Sequence, residues 1–361
     1  MGSFTTLTEL TQAIIPIDSD KISRAQAYQD TLIKPNGALG KLEEMAVRIS
    51  AMQLSLKPSI KNAELFCFAA DHGIAEEHVS AYPQEVSAQM IDGIAAGVAG
   101  VSCLAKSCSV KLNTYDVGLL YRAHHPAVIS HPFMNGSNNF LKTQAMSKDM
   151  ATSVVLYGAN EVSRAVRERN IDICALGEVG IGNSTSAAAL ISAITNVPVH
   201  EVTGYGTGLD EEGIQHKREI IEEALCFHSP INSQDGIELL CNFGGLEIAA
   251  MAGGALGAAA LQTPFVIDGL ISASALLLAY LIEPKVLEYC FVSHKSKEPG
   301  LMQALTFLNY KPYLDLDMRL GEGSGAVLAI ALIRAACDAM SNMASFDEAK
   351  VSQREEANKT C

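Results

Sequence analysis

The chain has 361 residues, of which 48% are hydrophobic and 18% charged, so it is long enough and apolar enough to bury a sizeable core. Its formal net charge of −14 argues against nucleic acid or an anionic membrane as the main partner, because both attract basic patches. A small anionic substrate is still compatible with this charge, since a few local donors hold one phosphate.

Nine cysteines are scattered along the chain and none forms a C-x-x-C pair, which indicates reduced thiols and no metal site. The N-terminus lacks a basic stretch followed by an apolar core, so no signal peptide is predicted. The longest apolar runs, such as Ile271–Ile282, are too short to span a bilayer. We therefore expect a cytoplasmic protein that does not bind a membrane.

Short apolar runs that end at polar or glycine residues predict strands. In chain order they are Ala63–Ala70, Val110–Asp116, Ile171–Leu176, Pro264–Ile267 and Val286–Val292, with Val199–Val202 and Ile237–Cys241 as further candidates. Helix-length segments rich in Ala, Leu and Met, such as Ser186–Ile194 and Leu246–Leu261, lie between them. This alternation predicts an α/β fold with a parallel sheet covered on both faces, and ligands bind beyond the carboxyl ends of such strands.

Apolar periodicity near both ends of the chain is mainly helical. A small helical domain formed by residues 1–26 together with 286–361 is compatible with this pattern, which does not by itself establish it. Residues 27–285 would then form the large α/β domain.

The segment Gly177–Ser186 follows a predicted strand and opens a predicted helix. Its glycines let the backbone approach a ligand, and the free N–H groups of a helix start attract an anion. It is not a P-loop, because no Gly-Lys-Ser/Thr follows. A phosphate site and a tight turn capped by Asn183 or Ser184 both fit this pattern.

Two other segments carry donors. Gly204–Asp210 matches a dinucleotide glycine pattern only in part, and Lys217 lies in the helix predicted after it, where an isolated lysine is usually solvated. Ser293–Ser296 follows a strand, and its small, donor-rich tip suits either a phosphate or an exposed loop.

The segment Asp315–Gly325 places one carboxylate, Glu322, inside a glycine loop before an apolar helix. Partial burial would raise its pKa, as a general base needs at neutral pH, although Glu is also favoured at helix starts by the helix dipole. The pair Asp71–His72 lacks partners at a metal-ligand or nucleophile spacing, so His72 is interpreted as structural or as a substrate contact.

Taken together, these segments resemble the nicotinate-nucleotide–dimethylbenzimidazole phosphoribosyltransferase family over nearly the whole chain. The blocks that carry the resemblance are, in order, Lys34–Glu43, Ala70–Ile74, Gly177–Asn183, Gly244–Gly253, Ser293–Ser296 and Met318–Ala326. The resemblance implies a Rossmann-like parallel sheet with a small helical domain from both ends, and a dimer, either of one chain or with a paralogue.

The resemblance also implies an activity. The enzyme would transfer phosphoribosyl from nicotinate mononucleotide to an aromatic lower-ligand base of a cobamide, with no metal or redox cofactor. Glu322 matches the catalytic carboxylate, Gly180, Lys217 and Ser296 would lie near the nucleotide phosphate, and Glu178 beside the base or ribose. With the glycine segments, the predicted nucleotide site comprises Glu178, Gly180, Gly182, Asn183, Ser184, Lys217, Ser296 and Gly321.

The predicted base site departs from the family's pattern. Better-known members have a Ser and a Gln where this chain has Tyr82 and Met90, and often a Leu where it has Val179. Together with Ile181, these residues form an apolar wall with fewer partners for a second ring nitrogen. Such a wall favours phenol or p-cresol as the acceptor, as in relatives that act as paired subunits, while drift in a site that still takes dimethylbenzimidazole is the alternative.

Two other classes remain open from the sequence. An inactive paralogue that only pairs with an active subunit is disfavoured because Glu322, Glu178, Lys217 and Ser296 are all present. An NAD-dependent dehydrogenase is disfavoured by the incomplete glycine fingerprint.

Overall fold

The computed structural model describes residues 2–206 and 208–352. Its helices are α1 (Leu7–Gln12), α2 (Ser19–Asp30), α3 (Lys41–Gln53), α4 (Glu85–Ala95), α5 (Gly100–Ser107), α6 (Lys148–Arg169), α7 (Asn183–Thr195), α8 (Val199–Val202), α9 (Glu211–Phe227), α10 (Gly236–Phe243), α11 (Leu246–Ala260), α12 (Leu270–Ile282), α13 (Pro299–Phe307), α14 (Ser324–Asn342) and α15 (Phe346–Ala349). The strands are β1 (Ala63–Ala70), β2 (Lys111–Gly118), β3 (Val128–Ser130), β4 (Ile173–Val179), β5 (Phe265–Ile267), β6 (Cys290–Val292), β7 (His294–Lys295) and β8 (Leu314–Asp315).

Six strands form one parallel sheet in the order β3-β2-β1-β4-β5-β6, and β7 pairs with β8 separately. Every residue of β1 and β4 is buried, so helices cover both faces of the sheet centre. The strand order reverses between β1 and β4, which is the switch point where Rossmann-type sheets open a ligand crevice. The predicted α/β, Rossmann-like class is thereby confirmed.

The five predicted strands are all present, although the fifth begins only at Cys290 because Pro284–Tyr289 forms a 3₁₀ helix. The two further candidates are wrong, since Val199–Val202 and Ile237–Cys241 are helical. For the second of them the cause is a cap. The Asp235 carboxylate accepts the backbone N–H groups of Ile237 and Glu238, both at 3.0 Å, and so starts a helix.

Helices α6 and α11 pack with their backbones in direct contact. A Cβ atom added to Gly253 would lie 1.9 Å from the Val155 carbonyl oxygen, and one added to Gly158 would lie 2.0 Å from that of Ala250. The Ala- and Gly-rich composition of α11 is therefore a packing requirement, because any larger side chain would force the two helices apart.

Replacing Gly253 by Ala is therefore expected to lower the free energy of unfolding by about 1–3 kcal/mol, through overpacking against a backbone atom. Urea unfolding followed by circular dichroism measures the effect. Gly93→Ala is the matched control, because Gly93 is also helical and its added Cβ would find only the Val98 side chain, at 3.8 Å. That control is expected to be neutral or slightly stabilising, and equal midpoints for the two variants would contradict the packing argument.

The chain divides into two compact units. One is built from the chain up to Pro16 and from Asn62–Ile330, and it carries the sheet; the other is built from Ile17–Lys61 and from Ala331 onward. The second unit is mainly helical, but its boundaries differ from the predicted ones at 26/27 and 285/286. The difference arises because β6 bonds to β5 and so stays with the sheet, whereas α3 packs on α2 in the other unit.

Two stretches pass a test of length and composition for a membrane span, Glu85–Ser107 and Ser324–Asn342. The first comprises two helices, α4 and α5, with residues 96–99 outside both. The second is α14, whose Ala326, Val327 and Ile330 are fully buried. The sequence argument considered only the longest continuous apolar runs and so missed these two stretches. That the protein has no membrane partner stays a prediction.

Candidate active site

A cavity of about 480 Å³ lies in the sheet-bearing unit, beyond the carboxyl ends of β4, β5 and β6. Its walls come from the residues that follow these strands, from α4 and the turn before it, and from the loop before α14. The residues that line the cavity include Tyr82, Val86, Met90, Glu178, Val179, Gly180, Ile181, Asn183, Ser184, Gly206, Asp268, His294, Ser296, Glu298, Gly321 and Glu322.

This cavity brings together every predicted site residue except two. Gly182 is the N-cap residue of α7 and does not line the cavity, and its φ of +98° is one that glycine adopts readily. Lys217 stands behind the wall, where its Nζ donates to Ser184 Oγ at 2.8 Å. Distant segments of the sequence thus converge on one place.

Three cavity-lining carboxyl groups, Glu178, Asp268 and Glu322, form what we call the carboxylate cluster. Burial raises the pKa of Glu178 to about 8, and the carboxylates of Glu247 and Asp268 add to this. One Glu178 oxygen accepts from the side chain of Asn183, and the other accepts the Glu322 backbone N–H at 3.4 Å. The cluster thus places three carboxyl groups beside the cavity, and burial there opposes their ionisation.

Glu322 is 7% exposed, and burial raises its pKa, with the Asp268 charge adding to the effect and the Val101 backbone N–H opposing it. The expected rise in this pKa is thus confirmed. Its φ is +63°, between Gly321 at +83° and Gly323 at +91°. A non-glycine residue in this region is strained by roughly 1–2 kcal/mol, so its surroundings must hold it there.

Gly321 is required by contact as well as by conformation. A Cβ added there would lie 2.8 Å from Glu178 Oε1. The glycine therefore lets the loop pass directly over Glu178, which places the Glu178 and Glu322 carboxyl groups on the same cavity.

Lys217, Ser184, Ser296 and the Gly206 backbone form what we call the anion cluster. Lys217 is 1% exposed rather than solvated, and burial lowers its pKa to about 8 while the nearby Glu298 carboxylate opposes this. Glu298 Oε1 accepts the Gly206 N–H at 3.0 Å. A buried ammonium behind a hydroxyl, at the start of a helix, is suited to an anionic group of a ligand.

The first turn of α7 has no side-chain cap, so of the two alternatives for this segment the turn capped by Asn183 or Ser184 is not present. Asn183 donates to Glu178 instead, and Ser184 accepts from Lys217. The N-terminal backbone of α7 is consequently not closed by a side-chain acceptor at the point where the cavity wall passes.

The predicted base wall is apolar and lies at one side of the cavity, formed by Tyr82, Met90, Val179 and Ile181 together with Val86. Tyr82 is 53% exposed, so this wall reaches the molecular surface.

The wall is anchored from behind by a short hydrogen-bond chain. The Ile181 N–H donates to Ser87 Oγ at 3.0 Å, and Ser87 Oγ donates to Asp71 Oδ1 at 2.6 Å. The chain fixes α4 against the β4–α7 turn.

His72 is structural, in line with one of its two interpretations. It is fully buried and its Nε2 lies 2.7 Å from Glu247 Oε1. A Cβ on Gly180 would lie 3.4 Å from that nitrogen, so the pair backs the wall of the cavity without lining it.

Sequence reasoning missed Asp268, Glu247 and Glu298. Asp268 directly follows a predicted strand, and this position at a carboxyl end was the available signal. Glu247 and Glu298 lie within helical or loop patterns that carry no such signal.

The partial glycine pattern at Gly204–Asp210 precedes α9 and follows the helix α8, not a strand. Its Thr207 lies outside the described residues. A dinucleotide fingerprint requires a strand-to-helix turn, so the dehydrogenase alternative loses its basis. Among residues 2–206 and 208–352, no group of three or more His, Cys, Asp or Glu is arranged to hold a metal ion.

The sheet order and a cavity at its carboxyl edge define an α/β enzyme that binds a small anionic ligand beyond its strands. A family model described as "Phosphoribosyltransferase" matches residues 14–351. A nicotinate-nucleotide–dimethylbenzimidazole phosphoribosyltransferase of Chloroflexus aggregans is 41% identical over 352 residues, which are 97% of this chain and 99% of that one. Its counterpart in Roseiflexus sp. is 41% identical over 351 residues, 97% and 99% of the two chains.

Solved structures agree with the sequence comparison. The crystal structure of CobT from Thermus thermophilus matches with a TM-score of 0.88 at 37% identity, covering 93% of this chain and 100% of that chain. The chain belongs to the nicotinate-nucleotide–dimethylbenzimidazole phosphoribosyltransferase family. It is a phosphoribosyltransferase.

Proposed function

We propose that the enzyme transfers phosphoribosyl from nicotinate mononucleotide to an aromatic base, giving nicotinate and the α-ribotide used as the lower ligand of a cobamide. The observation that carries this is the presence of the anion cluster and the carboxylate cluster on one cavity. The first suits the 5′-phosphate of the donor, and the second suits its cationic pyridinium and the positive charge that develops on the ribose.

The chemistry follows from this arrangement. The bond between C1′ and the pyridinium nitrogen breaks, and its electron pair neutralises the ring, so nicotinate leaves. The acceptor bonds to C1′ from the opposite face and gives the α configuration. Glu322 accepts the proton that the acceptor loses, directly or through water, while the phosphate held by Lys217, Ser184 and Ser296 keeps C1′ in place.

The acceptor we favour is phenol or p-cresol. Tyr82, Met90, Val86, Val179 and Ile181 offer a single hydroxyl between them, and Met90 adapts to small rings. An acceptor with one polar atom needs no partner on this wall, provided that atom faces the carboxylate cluster. Dimethylbenzimidazole, named for the relatives, is the second candidate.

Turnover of nicotinate mononucleotide with phenol, p-cresol, dimethylbenzimidazole and adenine, each supplied separately, tests both statements. The reaction class predicts release of nicotinate with at least one of these bases. If dimethylbenzimidazole is used efficiently and neither phenol nor p-cresol is turned over, the proposed acceptor is wrong and the proposed reaction class stands. No turnover with any base by the chain alone would support the inactive-paralogue alternative.

The double replacement Tyr82→Ser and Met90→Gln is expected to shift kcat/KM toward dimethylbenzimidazole relative to phenol by about 10-fold or more, because it supplies polar partners for the second ring nitrogen. Competition assays with both bases measure the ratio. Tyr121→Ser is the matched control, since Tyr121 is 45% exposed and does not line the cavity. An unchanged ratio in the double variant would remove the assigned role of this wall.

We also propose that the enzyme works in the cytoplasm as a homodimer or as a heterodimer with a paralogue. The family and the reduced thiols support this: Cys361 lies outside the described residues, and the other eight cysteines form no disulfide. Light scattering of the purified chain, alone and with its paralogue, measures the oligomeric state.

A further inference from the structure

Asp268 stands directly after β5 and is 2% exposed. Each of its polar atoms has a partner. Its backbone N–H donates to Ser272 Oγ at 2.8 Å, and its carbonyl oxygen accepts from Ser293 Oγ at 2.9 Å. The residue is thus fixed to the neighbouring elements on both sides.

The Asp268 carboxylate is directed at the loop that contains Glu322. Its Oδ2 accepts the Gly323 N–H at 3.1 Å, and its Oδ1 accepts those of Gly325 at 2.7 Å and Ala326 at 3.1 Å. One carboxylate therefore holds the first turn of α14 and the residue immediately after Glu322.

This loop needs such a clamp. Three consecutive residues, 321 to 323, have positive φ, and Glu322 is not a glycine. The Oε2 atom of Glu322 is buried without a hydrogen-bond partner among the described residues, so its own side chain does not secure the conformation on that side. Its backbone N–H makes a long contact of 3.4 Å to Glu178.

His294 is a further titratable side chain next to Asp268, in addition to Glu178 and Glu322. Its Nδ1 lies 3.7 Å from Asp268 Oδ1 and 2.9 Å from Ser293 Oγ, and burial lowers its pKa. Burial raises the pKa of Asp268 to about 7, and the backbone amides of the loop oppose this rise by donating to its carboxylate. A Cβ on Gly325 would lie 2.0 Å from His294 Nδ1, so glycine there is what lets the loop reach Asp268.

We propose that Asp268 is a positioning residue, which holds Glu322 in its strained backbone conformation and so aims its carboxylate into the cavity. This inference rests on the proposed role of Glu322. Asp268 acts through Glu322 and takes no part in bond making.

A double-mutant cycle tests it with wild type, Asp268→Asn, Glu322→Gln and the double variant, measured in the presence of nicotinate mononucleotide and the preferred base. Asp268→Asn keeps an acceptor for Gly325 and Ala326 but places an amide donor against the Gly323 N–H, so the residue after Glu322 loses its hydrogen bond. We expect kcat to fall by roughly 10²-fold, as misplacement of a reacting group produces. KM for nicotinate mononucleotide should stay within about threefold, and in the Glu322→Gln background the same change should lower kcat by less than about threefold.

The outcomes separate the two proposals. If Glu322→Gln is inactive while Asp268→Asn works like wild type, only the positioning inference is overturned. It is overturned as well if the two losses multiply in the double variant, since Asp268 would then act independently. If Glu322→Gln is fully active, the proposed role of Glu322 fails and this inference fails with it.

A buried carboxylate change can also unfold a protein, so two further variants are included. Ser293→Ala keeps the carboxylate and removes the donor to the Asp268 carbonyl together with the contact to His294 Nδ1. We expect a smaller loss of kcat, about threefold to tenfold, that disappears in the Glu322→Gln background. Ser274→Ala, whose buried hydroxyl donates to the Ile271 carbonyl at 2.7 Å, is the control and should keep the wild-type kcat. A Ser293→Ala loss that persists without Glu322 would contradict the inference.

Discussion

Glu322→Gln is expected to lower kcat by about 10²- to 10⁴-fold, because the variant keeps the shape of the side chain but cannot accept a proton. The loss should be larger with phenol than with dimethylbenzimidazole. A phenol hydroxyl has a pKa of about 10 and must be deprotonated, whereas an azole nitrogen attacks through a lone pair. Steady-state release of nicotinate with each acceptor measures both effects.

The pH dependence gives a second readout of the same variant. Since burial raises the pKa of Glu322, its base form grows as pH rises through that raised value, and wild-type kcat should rise with it. Glu322→Gln should lose this acid limb. Glu223→Gln, on the exposed face of α9, is the control and should keep it. Full activity of Glu322→Gln at every pH is the result that would remove the carboxylate from the reaction.

Lys217→Met is expected to raise KM for nicotinate mononucleotide by about 10- to 10²-fold, because it removes the charge that stands behind Ser184 at the proposed phosphate site. The same change should stabilise the empty enzyme. Burial lowers the pKa of this lysine from 10.5 to about 8, so the folded state disfavours the charged form by on the order of 3 kcal/mol. Methionine fills the site without a charge to desolvate.

The sign of the pH effect is fixed by proton binding. Between pH 8 and 10.5 the unfolded lysine binds more protons than the folded one, so wild-type stability gains from this group as pH rises across that window. Below about pH 8 the folded state bears the full cost of keeping the buried Lys217 charged. The Met variant lacks the gain, and its advantage in Tm should shrink from pH 7 to pH 10.

Thermal unfolding with and without inorganic phosphate measures this prediction. Phosphate should raise the Tm of the wild type and not that of Lys217→Met. Lys311 is exposed, so Lys311→Met removes the same charge elsewhere. This variant is expected to match the wild type in Tm and in the rise of Tm with phosphate. Equal phosphate stabilisation of all three proteins would show that the anion binds at another place.

The fold could be predicted because its signals are local. Continuous apolar runs such as Ala63–Ala70 mark buried parallel strands, and the polar residues that follow them mark the ligand edge. Short apolar runs were wrongly predicted as strands where a single capping residue starts a helix, as Asp235 does at Ile237. The boundaries of the two units depend on pairing between distant segments, which local patterns do not encode.

The sequence indicated which segments form the site, but not which of their side chains contact one another. Glu322 and Gly177–Ser186 stand out by composition, and the structure places Glu322 and most of that segment on one cavity. The burial of Lys217 and the clamp on the Glu322 loop were not visible, because each depends on a partner far along the chain. Asp268 and Gly323, for instance, are 55 positions apart and meet only through the ends of β5 and α14.

The half-exposed position of Tyr82 bears on how acceptor preference evolves. Its neighbours on the molecular surface impose little on its size, whereas Gly253 and Asp268 are enclosed by backbone atoms. Substitutions at the rim are therefore expected to change the base wall at a small cost in stability, whereas substitutions at enclosed positions such as these two are expected to cost more. On the proposed function, a lineage is expected to exchange one acceptor base for another through a few rim mutations that leave the buried core and the transfer chemistry unchanged.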